Sequence, residues 1–280
     1  MKKTIKVPAK LNLTLDVLGV SDGYHLISSL VCSVNLYERV TVKPRKDRLI
    51  NLKCKGIDPC CDLYSNNAYK AVKLFLETFD TKGVDVVIDK RIPVGAGMGG
   101  SSADVSGVLN CMNTVFEKGV DLSELANALG SDTAYMLKGG WAVISGRGEQ
   151  IDFKNVDRTL YMIILTAEQS VSAKSCYQKF DFLNESYPPC TQTAFEALVN
   201  GDEERFCELA KNDLTNSAIS FVEEISFNLN ALKKAGAPLA LMTGSGSATV
   251  GGFFDKKQRD MVFKKLKKLF KGKIYKAHTV

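Results

Sequence analysis

Residues 92–104 read IPVGAGMGGSSAD, with Gly95, Gly97, Gly99 and Gly100 among six residues and Ser101 and Ser102 directly after. Glycine weakens helices and strands, so such a run in a folded chain needs a reason. Bare backbone lets N–H groups approach a ligand closely, and the free amides and dipole at the start of a following helix favour negative charge. The stretch therefore has the chemistry of a phosphate cradle. Serine hydroxyls at that point can bond a phosphate oxygen or ligate Mg²⁺, and Lys90 and Arg91, just upstream, bring positive charge. The Ser101-x-x-Asp104 spacing is that of a capping box and predicts where the next helix begins. The plainer alternative is a glycine turn with a structural role only.

Other phosphate and metal patterns fit less well. Gly95-x-Gly97-x-x-Gly100 is formally the dinucleotide fingerprint, but six residues, Pro93 among them, separate it from the end of the preceding strand at Ile88. The dinucleotide motif turns directly off its strand and places an acid at the tip of a second one. Here Glu117 and Asp121 lie past a helix end. GxxxxGK[ST] occurs nowhere. Eight cysteines form no CxxC pair, and Cys54, Cys60 and Cys61 are their one cluster. With His25 and His278 the two histidines of the chain, a zinc site is hard to assemble. Reduced, scattered thiols are expected.

The elements that must position the cradle read as follows. The first 60 residues carry strand patterns: Ile5–Val7, then LNLTLDVLGV with Leu11, Leu13, Leu15 and Val17 alternating, then LVCSVNL and RVTVK. Ser21-Asp22-Gly23 marks a turn. A helix is expected over 66–78, with Ala68, Ala71, Val72, Phe75 and Leu76 as its buried face, then a strand over 84–88, the glycine loop, and a helix over 102–116. LSELANAL and GSDTAYMLKGG precede the strand WAVIS. Beyond Gly148 a buried strand YMIILT opens a region with helices expected over 172–180, 191–199, 203–211 and 220–234. LALMTGSGSATVGGFF follows as strand, glycine turn and strand, then a basic helix and IYKA. This is an α+β layer arrangement, divided into domains 1–152 and 153–280.

Charge is lopsided. Asp255–Val280 holds ten Lys/Arg and two acids, +8, so the remainder of a chain of net charge +6 sums to −2. Val262, Leu266, Leu269 and Phe270 form a helical stripe there, expected to pack on a sheet with the lysines in water and not on nucleic acid or membrane. The longest apolar runs are far too short to span a bilayer, and the N-terminus lacks signal-peptide features. A cytoplasmic protein is expected.

IPVGAGMGGSSADVSGVLN resembles the central phosphate-binding motif of the GHMP kinases. VPAKLNLTLDVLG and LMTGSGSATVGGFF resemble their first and third motifs in order and spacing. The resemblance implies an N-terminal ribosomal-protein-S5-domain-2-like α/β domain and a C-terminal ferredoxin-like α+β domain. It implies an ATP- and Mg²⁺-dependent kinase acting on a small-molecule alcohol, as a monomer or homodimer. SDGYH (21–25), KRIPVGAG, GSDTAYML and GRGE are similar to members acting on a cytidine-diphosphate polyol; homoserine, mevalonate or a sugar is the alternative acceptor. A non-catalytic nucleotide-binding protein of the same fold is a further alternative.

Roles follow from the resemblance. Pro93, Gly95, Gly97, Gly99, Gly100, Ser101 and Ser102 would wrap the ATP phosphates, with Ser101 or Ser102 near the metal. Asn66 and Lys90 would lie near the adenine or ribose, and Gly244, Ser245 and Gly246 beside the transferred phosphate. Asp132 would take or orient the proton of the substrate hydroxyl, with Lys10 close by. Asn12 would hold the polyol, Tyr24 and Tyr177 would sandwich the cytosine, and His25 would bond its edge. Local sequence leaves each of these open. Asp132 also suits a helix N-cap, Lys10 a solvent-facing strand, Tyr24 and His25 the start of a strand, and Tyr177 the core.

Overall fold

The computed structural model describes residues 1–57 and 64–280; Cys60 and Cys61 lie outside the described residues. In chain order the elements are β1 (Lys3–Asn12), β2 (Asp16–Ser21), β3 (Tyr24–Pro44), β4 (Ile50–Gly56), α1 (Asn67–Phe79), β5 (Val84–Lys90), α2 (Gly100–Val115), α3 (Ser123–Asn127) and α4 (Thr133–Lys138). Then come β6 (Trp141–Gly146), β7 (Gln150–Lys154), β8 (Tyr161–Thr166), α5 (Ala173–Leu183), α6 (Thr191–Asn200), α7 (Glu203–Leu209), α8 (Thr215–Ile219) and α9 (Glu224–Ala235). β9 (Leu239–Met242), β10 (Thr249–Phe253), α10 (Lys256–Leu269) and β11 (Lys273–His278) complete the chain. No helix among the described residues is long and apolar enough to cross a membrane.

The residues group into two compact units, each assembled from separate stretches: Met1–Ala9, Leu36–Val94 and Gly99–Gly139 in the first, and Lys10–Asn35, Gly95–Met98 and Gly140–Val280 in the second. The sequence reading has one boundary at residue 152. The difference arises because LVCSVNL and RVTVK, read as two strands, are one 21-residue strand, β3, whose ends belong to different units.

In the first unit β5 pairs antiparallel with the end of β3, from Arg39↔Asp89 to Pro44↔Val84, and parallel with β4. β5 alternates buried and half-buried residues, as a strand covered on one face should. α1 starts where Asn66 accepts a hydrogen bond from the Ala68 N–H at 2.8 Å and ends at Asp80 in the left-handed region. Its buried face, Ala68, Ala71, Val72 and Phe75, has helical spacing. α2 lies close on the sheet at Gly107, where an added Cβ would fall 2.5 Å from a Val40 methyl.

In the second unit the sheet order β11-β8-β10-β9, all antiparallel, with helices between β8 and β9 and between β10 and β11, is the ferredoxin-like β-α-β-β-α-β pattern. Ile163 and Leu165 of β8, Leu232 of α9, Phe253, and Val262 and Leu266 of α10 form one core cluster. The basic helix thus packs on a sheet through Val262, Leu266 and the half-buried Phe270 of the expected stripe, with Leu269 the exception. Leu269 is 72% exposed, and Arg259 is buried, donating to the Ala277 carbonyl. The same unit holds the β2–β3 hairpin, turned at Asp22 and Gly23, both at positive φ.

Candidate functional site

Lys10, Asn12 and the third glycine motif meet in the second unit. From Lys10 to Asp16 every residue is buried, so the alternation expected for a half-exposed strand fails there. Lys10 is 5% exposed, which removes the solvent-facing reading. Its Nζ donates to Asn12 Oδ1 at 2.6 Å, and Asn12 Nδ2 donates to Ser29 Oγ at 2.7 Å. A buried ammonium needs such partners, and here they also aim it. The Lys10 N–H donates to the Met98 carbonyl at 3.1 Å, the Asn12 N–H to Thr243 Oγ1 at 2.8 Å, and the Ala248 N–H to the Ala96 carbonyl at 3.2 Å. Three motifs far apart in sequence are thereby laced together by two backbone–backbone hydrogen bonds and one to the Thr243 hydroxyl.

Glycine is required where these backbones touch. Gly97 has φ +73°, and a Cβ on it would lie 2.4 Å from the Thr243 carbonyl oxygen. Gly244, at φ +59°, sits against the Gly97 carbonyl in turn, 2.7 Å from a built Cβ. Gly95 is exposed and stands against Ser170.

The remainder of the glycine loop, from Gly99, belongs to the first unit. The expected capping box is not formed. The N-cap of α2 is Gly99 in the left-handed region with no side-chain cap, and the helix starts at Gly100. Asp104 is buried and takes Lys90 Nζ as its partner, so it is not available to cap. The outcome suits an anion better than a capping box would: the first-turn amides of a 16-residue helix carry no side-chain acceptor. Ser101 is exposed and its Oγ accepts from Asn67 Nδ2 at 3.1 Å; Ser102 is half-buried. Asn66 is engaged as the α1 cap, and Pro93 is buried beside Ile92 in the approach to the loop.

Lys90 belongs to a buried charge group and is 5% exposed. Glu38, fully buried on β3, accepts from the Arg91 N–H at 2.6 Å and the Ile92 N–H at 3.3 Å, which tethers the start of the glycine loop. Burial, then the neighbouring Asp104 charge, pushes the Glu38 carboxyl up to about 7, with Lys90 and the two amides opposing. Burial raises Asp104 as well, against the pull of Lys90. Much of the Lys90 charge is therefore spent on Asp104.

Asp132 stands at the N-cap position of α4, half-buried, with helical φ and ψ and no side-chain cap bond. Its carboxylate does not serve the cap that local sequence equally suggests. The preceding Gly130 lies beside the first turn of α2: a Cβ there would fall 3.8 Å from Ser102 Oγ. Asn110 Nδ2 donates to the Leu137 carbonyl and holds α4 to α2.

The DGYH residues cluster in the second unit. His25 Nε2 lies 2.7 Å from Asp181 Oδ1, and its ring stacks on Tyr177 with centroids 4.6 Å apart. Tyr177 also packs against the cluster of Leu15, Phe180 and Leu214, as its core reading expects. Tyr24 is 59% exposed, and the Arg147 guanidinium lies 4.5 Å from its ring centroid.

Sequence reasoning does not single out Ser29, Glu38, Asp181 or Thr243. Thr243 borders the glycine turn, which is a signal of sorts; the others carry none that a local pattern reveals. Among the described residues no group of three or more His, Cys, Asp or Glu is arranged to hold a metal ion. Burial pushes the thiols of Cys111, Cys176 and Cys190 up to about 12.

Residues 66–144 match the family model for the N-terminal domain of GHMP kinases, and 194–272 the model for the C-terminal domain. A Staphylococcus aureus (strain JH9) protein named "Putative 4-diphosphocytidyl-2-C-methyl-D-erythritol kinase" is 35% identical over 249 residues, 87% of this chain and 88% of its own length. The crystal structure of a 4-(cytidine 5'-diphospho)-2C-methyl-D-erythritol kinase superposes with a TM-score of 0.84 at 26% identity, covering 99% of this chain and 98% of that one. The L. major mevalonate kinase structure shares the fold, with a TM-score of 0.75 at 16% identity over 99% of this chain and 95% of its own. Two family domains matched in order, together with a relative similar over most of its length, show that the chain belongs to the GHMP kinases and is an ATP-dependent small-molecule kinase.

Proposed function

We propose that this kinase transfers the γ-phosphoryl group of ATP to the 2-hydroxyl of 4-diphosphocytidyl-2-C-methyl-D-erythritol, a step of non-mevalonate isoprenoid precursor synthesis. The observation that carries the choice of acceptor is the DGYH cluster. His25 stacked on Tyr177 and bonded to Asp181, with Tyr24 exposed nearby in sequence, offers aromatic faces and a polar ring edge suited to a flat base. Homoserine, mevalonate and sugars have no base to stack. The proteins named for this activity are similar to the chain over most of its length.

Phosphoryl transfer needs alignment and charge neutralisation more than covalent chemistry. In this reading the amides of Gly95 to Ser102 take the phosphate oxygens, helped by the uncapped start of α2. Mg²⁺ is a hard ion that takes oxygen ligands, and it would be held by phosphate oxygens with the hydroxyl of Ser101 or Ser102. When bound it supplies positive charge against the phosphates. The substrate hydroxyl oxygen bonds to the γ-phosphorus, the bond to the ADP oxygen breaks, and Asp132 receives or orients the proton. Lys10, aimed by Asn12, stabilises charge on the transferred group. Asn12 keeps one amide hydrogen beyond its bond to Ser29 with which to hold a polyol hydroxyl.

The test is ADP release with the cytidylyl alcohol against homoserine, mevalonate and galactose at equal concentration. Turnover confined to the cytidylyl alcohol supports the proposal. No rate with it and a clear rate with another alcohol overturns the acceptor.

A further inference from the structure

We infer that Asn212 is a positioning residue that aims one backbone N–H of the third glycine motif at the phosphates of the nucleotide. The inference rests on the phosphate placement proposed above, and it concerns a residue outside all three family motifs, in the connection between α7 and α8.

Asn212 is 7% exposed and its amide is fully engaged. Its Oδ1 accepts from the Leu214 N–H at 3.0 Å, which settles which end of the amide is oxygen. Its Nδ2 donates to the Gly244 carbonyl at 2.7 Å and to the Met242 carbonyl at 2.9 Å, one on each side of Thr243. The backbone of this segment is itself held. Leu15 N–H donates to the Lys211 carbonyl and Asp213 N–H to the Leu15 carbonyl, both at 2.9 Å. Leu15 follows Lys10 and Asn12 by a few residues, so the amide stands on a support shared with the first motif.

The turn that it grips is Thr243–Gly246, closed by the Gly246 N–H on the Thr243 carbonyl at 3.1 Å. In a trans peptide the C=O and the following N–H point in opposite directions. Holding the Gly244 carbonyl on the Asn212 side therefore turns the Ser245 N–H to the other side. That N–H has no hydrogen-bond partner among the described residues, and Ser245 is half-exposed between buried Gly244 and Gly246. The turn lies against Gly97 of the phosphate loop. Glycine at position 244 leaves the Gly244–Ser245 peptide free to rotate as a unit, because no Cβ opposes either orientation. Without Asn212 the peptide can present its carbonyl where the N–H stood, exchanging an anion donor for a repelling dipole. Loss of one preorganised donor of this kind costs about 10²-fold in kcat.

The experiment uses N212A and N212D in the full chain. N212D keeps the acceptor for Leu214 and loses both donors. For each variant kcat, the KM for the alcohol, the Kd for inorganic tripolyphosphate and the melting temperature are measured. The expected result is a kcat lower by about 30- to 100-fold in both variants, tripolyphosphate bound about tenfold more weakly, and the alcohol KM within about threefold of wild type. A merely structural tie would instead weaken the alcohol and tripolyphosphate alike. A second measurement needs no variant: in ¹⁵N-labelled wild type the Ser245 amide resonance should move on addition of tripolyphosphate. Wild-type kcat in both variants, equal loss for both ligands, or an unmoved Ser245 resonance overturns the inference. Turnover of a different alcohol by the wild type would refute the proposed acceptor alone, because the tripolyphosphate measurements do not depend on it.

Discussion

Replacing Gly97 by alanine should disable the kinase through the backbone. At φ +73° an alanine pays about 1–2 kcal/mol for the left-handed region. Its Cβ would lie 2.4 Å from the Thr243 carbonyl oxygen, about 1 Å inside ordinary van der Waals contact, and 3.1 Å from the Gly246 carbonyl oxygen. Both neighbours are backbone and cannot rotate away, so one of the two strands of chain must move. Moving Thr243 also stretches the Gly246 N–H bond to its carbonyl, worth about 1 kcal/mol. The expected loss of stability is about 2–4 kcal/mol, read by urea unfolding. A displacement of about 1 Å in a phosphate-positioning loop is worth about 100-fold in kcat/KM, read by coupled ADP release. Gly119→Ala is the control: it has φ +62° with nothing within 4 Å of a built Cβ, so it pays for backbone strain alone and keeps wild-type activity. If G97A stayed within about threefold of wild type in kcat/KM and lost no more stability than G119A, the argument from close backbone approach would be wrong.

Two further perturbations test the charged groups. Asp132→Asn should lower turnover by about 10³-fold while ATP affinity changes little, measured by single-turnover kinetics and calorimetry; unchanged turnover would show that Asp132 neither takes nor orients the proton. Glu38→Gln tests the buried carboxyl at the start of the loop. Its folded pKa of about 7 lies above the ordinary 4.5, so its protonated form contributes stability that is fully present below pH 4.5 and lost as pH rises through about 7. The Gln variant lacks this titration, so its stability relative to wild type should improve by about 2–3 kcal/mol between pH 5 and 8. A flat difference in urea midpoints across that range would refute the assignment.

Local patterns carried much of the architecture. The α1 helix is legible because its apolar residues recur at helical spacing after an asparagine, and the Asp22-Gly23 hairpin because those residues adopt positive φ cheaply. The β9–glycine turn–β10 hairpin and the basic α10 were likewise readable. What escaped was partner choice. Ser101 and Asp104 have capping-box spacing, yet Lys90 on a neighbouring strand claimed the carboxylate and left the helix start open. Leu269 continues the apolar stripe of α10 on paper, but it is 72% exposed while Val262, Leu266 and Phe270 pack on the core.

The amino-acid order by itself determined where the backbone must be bare, because φ preferences and the absence of a Cβ are properties of single residues. It also determined which segments are amphipathic, because periodicity is local. Tertiary structure alone decided that Lys10 is buried and aimed by Asn12, and that Asn12 reaches Thr243 across 231 positions. It alone placed the Asn212 amide on the carbonyls of Met242 and Gly244. A polar side chain removed from water must find a partner, and which distant segment supplies it depends on how the packed elements arrive beside one another.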